Sequence, residues 1–598
     1  MAERRGGFGG TRARLVSWAA ARPALAVAAV ALLCQANTLL NQPVLDDGWV
    51  IFDNPVVTGF DVGRALRSGY EAGGSATNAG LWRPLTTLSY AASYAAFGRA
   101  VPGYHVGNAL LHAAVALLVL ALARRVVGAV APARAGEAAV VAALLFAVHP
   151  VHVEAVAGLV GRAELLAALG ALSALLLALT RRSGSWRLPA ALGAASLGVL
   201  GKENAAVAPL LYLLVAWLAP GAAGLGARPG PGSAEGRRAA AEALLVSALL
   251  GAAVALPFLL RPGGGAGVPP SAAWFAGQPG PIVLGTMSRA LAEYWRLLAF
   301  PGELGLDFSY AAKIPFTPAL SPRALAAVAV WATILVVGLA SARRAPVRAI
   351  GILWVFAALL PVSNAVPTGV LMAERLLYLP SVGACLWAGH GAAWAREALS
   401  RRHPGAAVAV RGLAALAIAL LAARTLARNA DWRDGRALWE AELAHAPRDP
   451  VVNNNLAVAL NGAGEYGRAR ERLRVALEAA PLYWRAWVNL GIAEERSGDP
   501  EAALGFYGRA SAIEPGSAVP HYWAGLLLAR RGDWAAADRA FAEAERLAPD
   551  DASVRVERGR LLLELGRAAD ARRELEQALR LDPRRAEARA LLEHAGPP

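Results

Sequence analysis

The chain has 598 residues, of which 56% are hydrophobic and only 17% charged, with a formal net charge of +15. A water-soluble protein of this size carries nearer a quarter charged residues, so the excess apolar content must face something other than water. The arginines sit largely in short loops between apolar runs, which argues against a nucleic-acid binder, and the two cysteines, Cys34 and Cys385, both lie in apolar runs, which argues against a disulfide framework or a cysteine zinc site.

Residues 1–19 carry Arg4, Arg5, Arg12 and Arg14 and are expected to stay in the cytoplasm as the flank of an uncleaved first span. Candidate spans then begin near residues 20, 104, 137, 163, 188, 204, 240, 322, 348, 376 and 408, about eleven in all, within a membrane domain of residues 20–428. The amphipathic stretch 281–300 contains Arg289, Glu293 and Arg296. Counted as a span, it would put Arg343/Arg344 and Arg401/Arg402 outside, so it is predicted to lie along the interface. Eleven spans from a cytoplasmic start leave the C-terminal region outside.

The first outer loop, 41–103, opens with "NQPVLDDGWVIFDNP". Asp46 and Asp47 are adjacent carboxylates just past the end of a span; they are either a solvated turn or a site of chemistry. "LWRPL" adds Arg83 to the same loop. "YHVGNALLH" sets His105, Asn108 and His112 at i, i+3 and i+7 on one helix face, for function or for interhelical packing. "AVHPVHVEAVAGLVGRAELL" holds His149, His152, Glu154, Arg162 and Glu164. Its His-x-x-His pattern with a nearby Glu has metal-ligand character, but Pro150 interrupts the helical spacing, and pairing of Glu154 or Glu164 with Arg162 is the plainer expectation. No metal ligand is therefore assigned. "GKEN" brings together Lys202 and Glu203, and "MAERLLYLP" brings together Glu374 and Arg375. Each couple is a local ion pair or part of a phosphate-recognition site, where Arg offers a planar fork and Lys a point charge.

On the span count, Arg83, Lys202, Arg375, Asp46 and Asp47 share the outer side. Cations to stabilise a leaving phosphate and a carboxylate to accept a hydroxyl proton suit transfer from a phosphate-linked donor.

The polar C-terminal region is periodic. Prolines recur at 447, 481, 515, 549 and 583 and glycines at 464, 498, 532 and 566, each step being 34 residues. That period is the signature of tetratricopeptide repeats. In "WRAWVNLGIAEERSGDPEAALGFYGRASAIEP", Trp487, Leu490, Gly491, Ala503, Tyr507, Ala510 and Pro515 occupy the expected positions. Four repeats are predicted over 450–583, preceded by a half-repeat junction over 429–449 and followed by a cap over 584–598. Such arrays present a concave groove suited to a polypeptide, the alternative being a spacer.

Taken in order, "LDDGWVIFDNPVV", "WRPLTTLSY", "YHVGNALLH", "FAVHPVHVEAVAGLVGRAELLA", "GKEN", "LDFSYAAKIP" and "ERLLYLPSVG" resemble the transmembrane and tetratricopeptide-repeat (TMTC) family of protein O-mannosyltransferases, of the GT-C class. The resemblance implies an all-α protein: a polytopic GT-C-like bundle followed by an α-solenoid of repeats. It implies a lipid-phosphate sugar as donor and catalysis at the outer face; no cofactor is firmly assigned, a divalent metal being the lesser alternative. The acidic residue that acts as catalytic base or acceptor-positioning group maps onto Asp46 or Asp47, with a slight preference for Asp47. Arg83, Lys202 and Arg375 would hold the donor phosphate. His105, Asn108, His112, His149, His152, Glu154, Arg162, Glu203 and Glu374 would form a supporting polar face. The repeats would receive the polypeptide acceptor. The Ala-, Arg- and Gly-rich composition suggests a bacterial inner-membrane enzyme that uses a polyprenyl-phosphate sugar in the periplasm. The rival reading is a non-catalytic scaffold whose spans anchor the repeats.

Overall fold

The computed structural model describes residues 22–67, 81–180, 186–226, 233–261, 275–365, 369–582 and 585–595. The expected cytoplasmic segment 1–19, Pro583 and the end of the predicted cap, 596–598, lie outside the described residues. Among the described residues every regular element is helical. The chain divides into two compact units, Met1–Asp434 and Gly435–Pro598.

The helices of the first unit are α1 (Pro23–Cys34), α2 (Pro84–Phe97), α3 (Pro102–Val130), α4 (Ala135–Val148), α5 (Arg162–Leu179), α6 (Arg187–Gly201) and α7 (Ala208–Leu218). They continue as α8 (Ala234–Leu259), α9 (Gly280–Ala299), α10 (Pro322–Ser341), α11 (Pro346–Leu359), α12 (Ser381–Ser400) and α13 (Ala406–Asp431). Each expected span is helical. Six helices, Pro23–Leu40, α3, Leu159–Leu179, α8, α10 and α13, are long and apolar enough to cross a membrane. A seventh is added if Pro132–Val148 and Pro150–Ala157, bent by 50°, count as one broken span. The bend falls at Pro150, which removes an amide donor from the helix. Arg187–Gly201, Glu203–Leu218 and Pro346–Val362 are apolar but shorter. The span expected near 376 begins at Ser381, because Glu374–Leu377 is a 3-10 turn.

A lipid-facing surface explains the exposed apolar side chains. Leu413, Leu416 and Leu420 on α13 are all more than half exposed, as is Val336 on α10. Inside the bundle, small residues set the spacing. A Cβ on Gly170 of α5 would collide with the Gly198 Cα of α6, and one on Gly383 of α12 would lie 2.5 Å from the Gly351 carbonyl of α11. Dispersion and close backbone approach drive such contacts where lipid offers no hydrophobic gain. The stretch expected at the interface is α9, a helix that buries Ala290, Tyr294 and Leu297 and directs Arg289 to the Thr317 hydroxyl at 2.8 Å.

The second unit comprises α14 (Gly435–His445) and four antiparallel pairs. These are α15 (Pro450–Gly462) with α16 (Tyr466–Ala479), α17 (Trp484–Arg496) with α18 (Pro500–Ile513), α19 (Val519–Arg530) with α20 (Trp534–Leu547), and α21 (Ala552–Glu564) with α22 (Ala568–Leu581). A last helix, α23 (Ala586–His594), covers the end. Gly464, Gly498, Gly532 and Gly566 turn between the helices of each pair with φ of +78°, +94°, +79° and +69°, the left-handed region that favours glycine. The second unit begins at Gly435, inside the segment 429–449 expected as a half-repeat junction.

Candidate active site

The motif segments of the first unit meet at one end of the bundle. Past α1, a 3-10 turn (Ala36–Leu40) leads into the Asp46–Asp47 loop, where Leu45 takes a φ of +52° and Gly48–Phe52 forms a π-type turn. A non-glycine residue in the left-handed region is costly and persists only where its surroundings hold it. What holds this one is Asp47. Its side chain is 1% exposed; Oδ2 accepts the Val44 N–H and Oδ1 accepts the Val160 N–H, each at 3.0 Å. Asp47 thus closes its own loop and fastens it to the turn before α5. Burial pushes its carboxyl up to about 7, against the pull of these backbone donors.

Asp46 differs from its neighbour in every respect. It is exposed. The surrounding protein raises its carboxyl by desolvation, while the charge of Arg375 and a hydrogen bond with the Trp49 side chain pull it down. One aspartate is therefore part of the scaffold, and the other is open and faces a guanidinium.

Arg375 stands on the turn Glu374–Leu377. Its backbone N–H donates to Glu154 Oε2 at 2.8 Å and its guanidinium pairs with Glu154 Oε1. The Glu154 side chain is 2% exposed and that of Arg375 is 29% exposed, so the cation is gripped from below and open above. Asp307, on the short helix Asp307–Lys313, and Glu164 act electrostatically on the same guanidinium.

Lys202 pairs with Glu164 at 2.5 Å, and Asn204 donates to the second Glu164 oxygen at 3.2 Å. Arg83 forks onto Glu203 through Nε at 3.1 Å and Nη2 at 2.6 Å. Lys202 feels both Arg83 and Arg375. Arg83, Lys202, Arg375, Glu154, Glu164, Glu203 and Asp46 therefore form one connected network.

The local pairings expected from sequence do not form. Lys202 binds Glu164, while Glu203 binds Arg83. Arg375 binds Glu154, while its neighbour Glu374, fully buried, accepts from the Gly305 N–H and from the Tyr310 hydroxyl at 3.0 Å, with Arg428 at 3.9 Å. Arg162 reaches in another direction. It donates to Asn108 Oδ1 at 2.8 Å, Ser93 Oγ at 2.7 Å and the carbonyls of Ser89 and Tyr104, and lies over the rings of Tyr90 and Tyr104. Adjacent residues on a 3-10 turn point in different directions, so each member of a sequence couple reaches a different element.

The histidines lie apart from this network. His112 Nε2 donates to the Ala147 carbonyl at 3.1 Å, so its Nδ1 accepts from the Tyr378 hydroxyl at 2.8 Å. Ser381 donates to the Tyr378 carbonyl, which leaves its oxygen to accept from His152 Nε2 at 2.8 Å. His149 donates to the Leu298 carbonyl and caps the turn after Pro150 by accepting from the Val151 N–H. His112, His152, Phe146 and Tyr378 stack into one buried aromatic cluster, and His105, two turns earlier on α3, is 1% exposed. This face packs helices together. Among the described residues no three His, Cys, Asp or Glu side chains gather as a metal site.

Asp307, Trp49 and the end of α13 were not singled out as site residues in the sequence. Asp307 and Trp49 stood inside motifs, "LDFSYAAKIP" and "LDDGWVIFDNPVV", whose individual residues carried no further sign. At the end of α13, Thr425, Arg428 and Asn429 are buried on a helix otherwise open to lipid. Asn429 donates to the Cys34 carbonyl at 2.9 Å and to Asn37 Oδ1 at 2.8 Å, and Thr425 donates to the Val148 carbonyl at 2.7 Å. Their i, i+3 and i+4 spacing puts them on one helix face, as the i, i+3 and i+7 spacing does for the polar residues of "YHVGNALLH".

The chain has relatives among known proteins. Two family models described as tetratricopeptide repeat match residues 457–518 and 528–595. The chain is 30% identical to the protein O-mannosyl-transferase Tmtc1 of Drosophila melanogaster, covering 77% of this chain and 62% of that protein. It is 28% identical to the protein O-mannosyl-transferase F38B6.6 of Caenorhabditis elegans, covering 74% and 60%. It is also 28% identical to the human protein O-mannosyl-transferase TMTC1, covering 81% and 59%. The chain thus spans about three fifths of the length of these relatives. Among solved structures, a thermophilic TPR protein of Thermus thermophilus is 25% identical with a TM-score of 0.25, covering 28% of this chain and 90% of that one.

Proposed function

The chain is a homologue of the TMTC protein O-mannosyl-transferases, and we propose that it is a membrane glycosyltransferase. In this reading it moves a mannose-like sugar from a polyprenyl-phosphate donor to a Ser or Thr hydroxyl of a non-cytoplasmic protein. The observation that carries the reading is the separation of roles within the first loop: Asp47 is consumed by backbone amides, while Asp46 is open and faces the half-open guanidinium of Arg375.

The acceptor oxygen attacks the anomeric carbon as Asp46 takes the hydroxyl proton, and the bond from that carbon to the phosphate oxygen breaks with inversion. The leaving phosphate carries away the electron pair. Arg375 faces it directly, with the field of Lys202 and Arg83 behind. Glu154 fixes Arg375 from its buried side, so that the cation is oriented before donor arrives. We take the site end of the bundle as the non-cytoplasmic face, because Arg124/Arg125, Arg343/Arg344 and Arg401/Arg402 fall at the opposite ends of their helices. The repeats, which continue from α13, would present the polypeptide acceptor.

One observation favours the scaffold alternative: Arg83, Lys202 and Arg375 each already hold a carboxylate. The two readings part in a transfer assay with purified full-length protein, polyprenyl-phosphate mannose and a Ser/Thr peptide. An enzyme releases polyprenyl phosphate, and Asp46→Asn lowers the rate about 10²- to 10⁴-fold while the protein stays folded. A rate unchanged by Asp46→Asn refutes the assignment of the base.

A further inference from the structure

At the end of the bundle away from Asp46, α4 begins, α12 ends and α13 begins. Val141, Ala392, Ala414 and Ile418 wall a cavity of about 170 Å³ between these helices, edged by Glu137 and Arg411. Around its rim stand two charge triads. Glu137 pairs with Arg396 at 2.5 Å and with Arg411 at 3.0 Å. Glu397 pairs with Arg134 at 2.5 Å and with Arg401 at 2.6 Å.

Each triad holds two guanidiniums on one carboxylate and keeps one surplus positive charge. Arg402, exposed beside them, adds a third. Between residues 381 and 430 the sequence holds no acid except Glu397, and Asp431, at the far end of α13, pairs with Arg428, so no other acid of α12 or α13 offsets the surplus here. The outer arginines are open, Arg411 at 64% and Arg401 at 74% exposed, whereas Arg134 and Arg396 are each 24% exposed. The carboxylates hold the inner arginines in place; Arg411 edges the apolar groove, and Arg401 stands just past the end of α12, on the helix that supplies Ala392 to its wall.

We propose that this groove is a binding site for an anionic phospholipid, its acyl chain in the cavity and its phosphate on Arg401 and Arg411. A phosphate supplies the third anion that the two triads lack, and an apolar wall running into the bundle suits hydrocarbon rather than water. The site lies at the opposite end of α4, α12 and α13 from Asp46, and it does not rest on the transferase reading.

Native mass spectrometry of the full-length protein in detergent, titrated with phosphatidylglycerol, phosphatidylcholine or soluble glycerol phosphate, tests it. One phosphatidylglycerol is retained at concentrations where phosphatidylcholine is not. Arg401→Ala/Arg411→Ala weakens that retention about 30-fold, the product of two surface charge contacts. Ala414→Phe fills the groove without changing charge and weakens it by about tenfold or more. The charge variant alters only exposed side chains and keeps the test decisive should Ala414→Phe fail to fold. Equal retention of the two lipids, indifference to Ala414→Phe in a folded protein, or displacement of the lipid by equimolar glycerol phosphate each overturns the proposal.

Discussion

In the repeats, Arg546 binds Glu543 three residues back and Arg567 binds Asp570 three residues on. In the membrane unit, Arg375 reaches Glu154 across 221 residues and Arg83 reaches Glu203 across 120. The first kind of pair lies on a wetted helix face and is screened. The second is set into the protein, with carboxylates such as Glu154 and Glu164 at 2% and 5% side-chain exposure. The contrast shows where the chain invests its polar groups. The repeats also carry pairs that tie one helix to another, such as Arg530 with Glu495 and Arg558 with Asp538, whereas the longest-range pairs of the membrane unit draw separate helix ends together. Burying a charge is expensive unless it is paired, so a membrane domain that gathers this many in one place organises chemistry or strict geometry.

The largest effect on this contrast comes from breaking one of the buried pairs. Glu154→Gln leaves the Arg375 guanidinium without its carboxylate and is expected to destabilise the membrane unit by about 3–5 kcal/mol, read as a fall in the detergent-solubilised thermal transition. A change under about 1 kcal/mol would mean that this pair behaves like the surface pairs of the repeats.

The next effect is a pH slope. Asp47 has a folded-state value of about 7, above the ordinary carboxylate range near 3.8, so the folded protein binds this proton more tightly than the unfolded chain does. The stability this provides is fully present below the unfolded value. It declines as pH rises toward 7, and is flat above that. Asp47→Asn should remove this component of the slope between roughly pH 4 and 7 while lowering stability overall, since an amide cannot accept both backbone donors. Thermal transitions of both proteins across that pH range measure it; identical slopes would mean that Asp47 does not titrate there.

The smallest effect belongs to the repeats. Arg546→Ala, which removes an exposed i, i+3 pair, should change their stability by less than about 0.5 kcal/mol in urea unfolding. A larger loss would show that the repeat charges, too, do structural work.

The same contrast explains what the sequence discloses. The repeat glycines and prolines were legible because each repeat meets mainly its neighbours, so a fixed period carries the architecture. Six of the eleven expected spans, or seven with the bent pair, were legible because hydrocarbon demands long apolar helices; the break was foreshadowed by Pro150. The chemistry-bearing residues were legible as types, since Arg83, Lys202, Arg375, Glu154 and Glu203 all join the network. Their partners were not, because contacts over 38 to 221 residues leave no local pattern. "GKEN" and "MAER" invite pairing of neighbours, and backbone direction sends each neighbour elsewhere. Asp46 and Asp47 are identical in type and adjacent in sequence; only the reach of the Val44 and Val160 amides tells them apart. The buried histidines are another case: the polar face was legible on the span, but their partners, the Tyr378 and Ser381 hydroxyls and the Ala147 carbonyl, lie on other segments.

The central claim is that Asp46 is the open base of a sugar transfer to protein. Its most direct test is mass spectrometry of non-cytoplasmic glycopeptides from cells that contain the intact protein, lack it, or carry Asp46→Asn. The account predicts hexose on Ser or Thr with the intact protein, and its loss both without the protein and in Asp46→Asn. Undiminished hexose with a folded Asp46→Asn protein would contradict it.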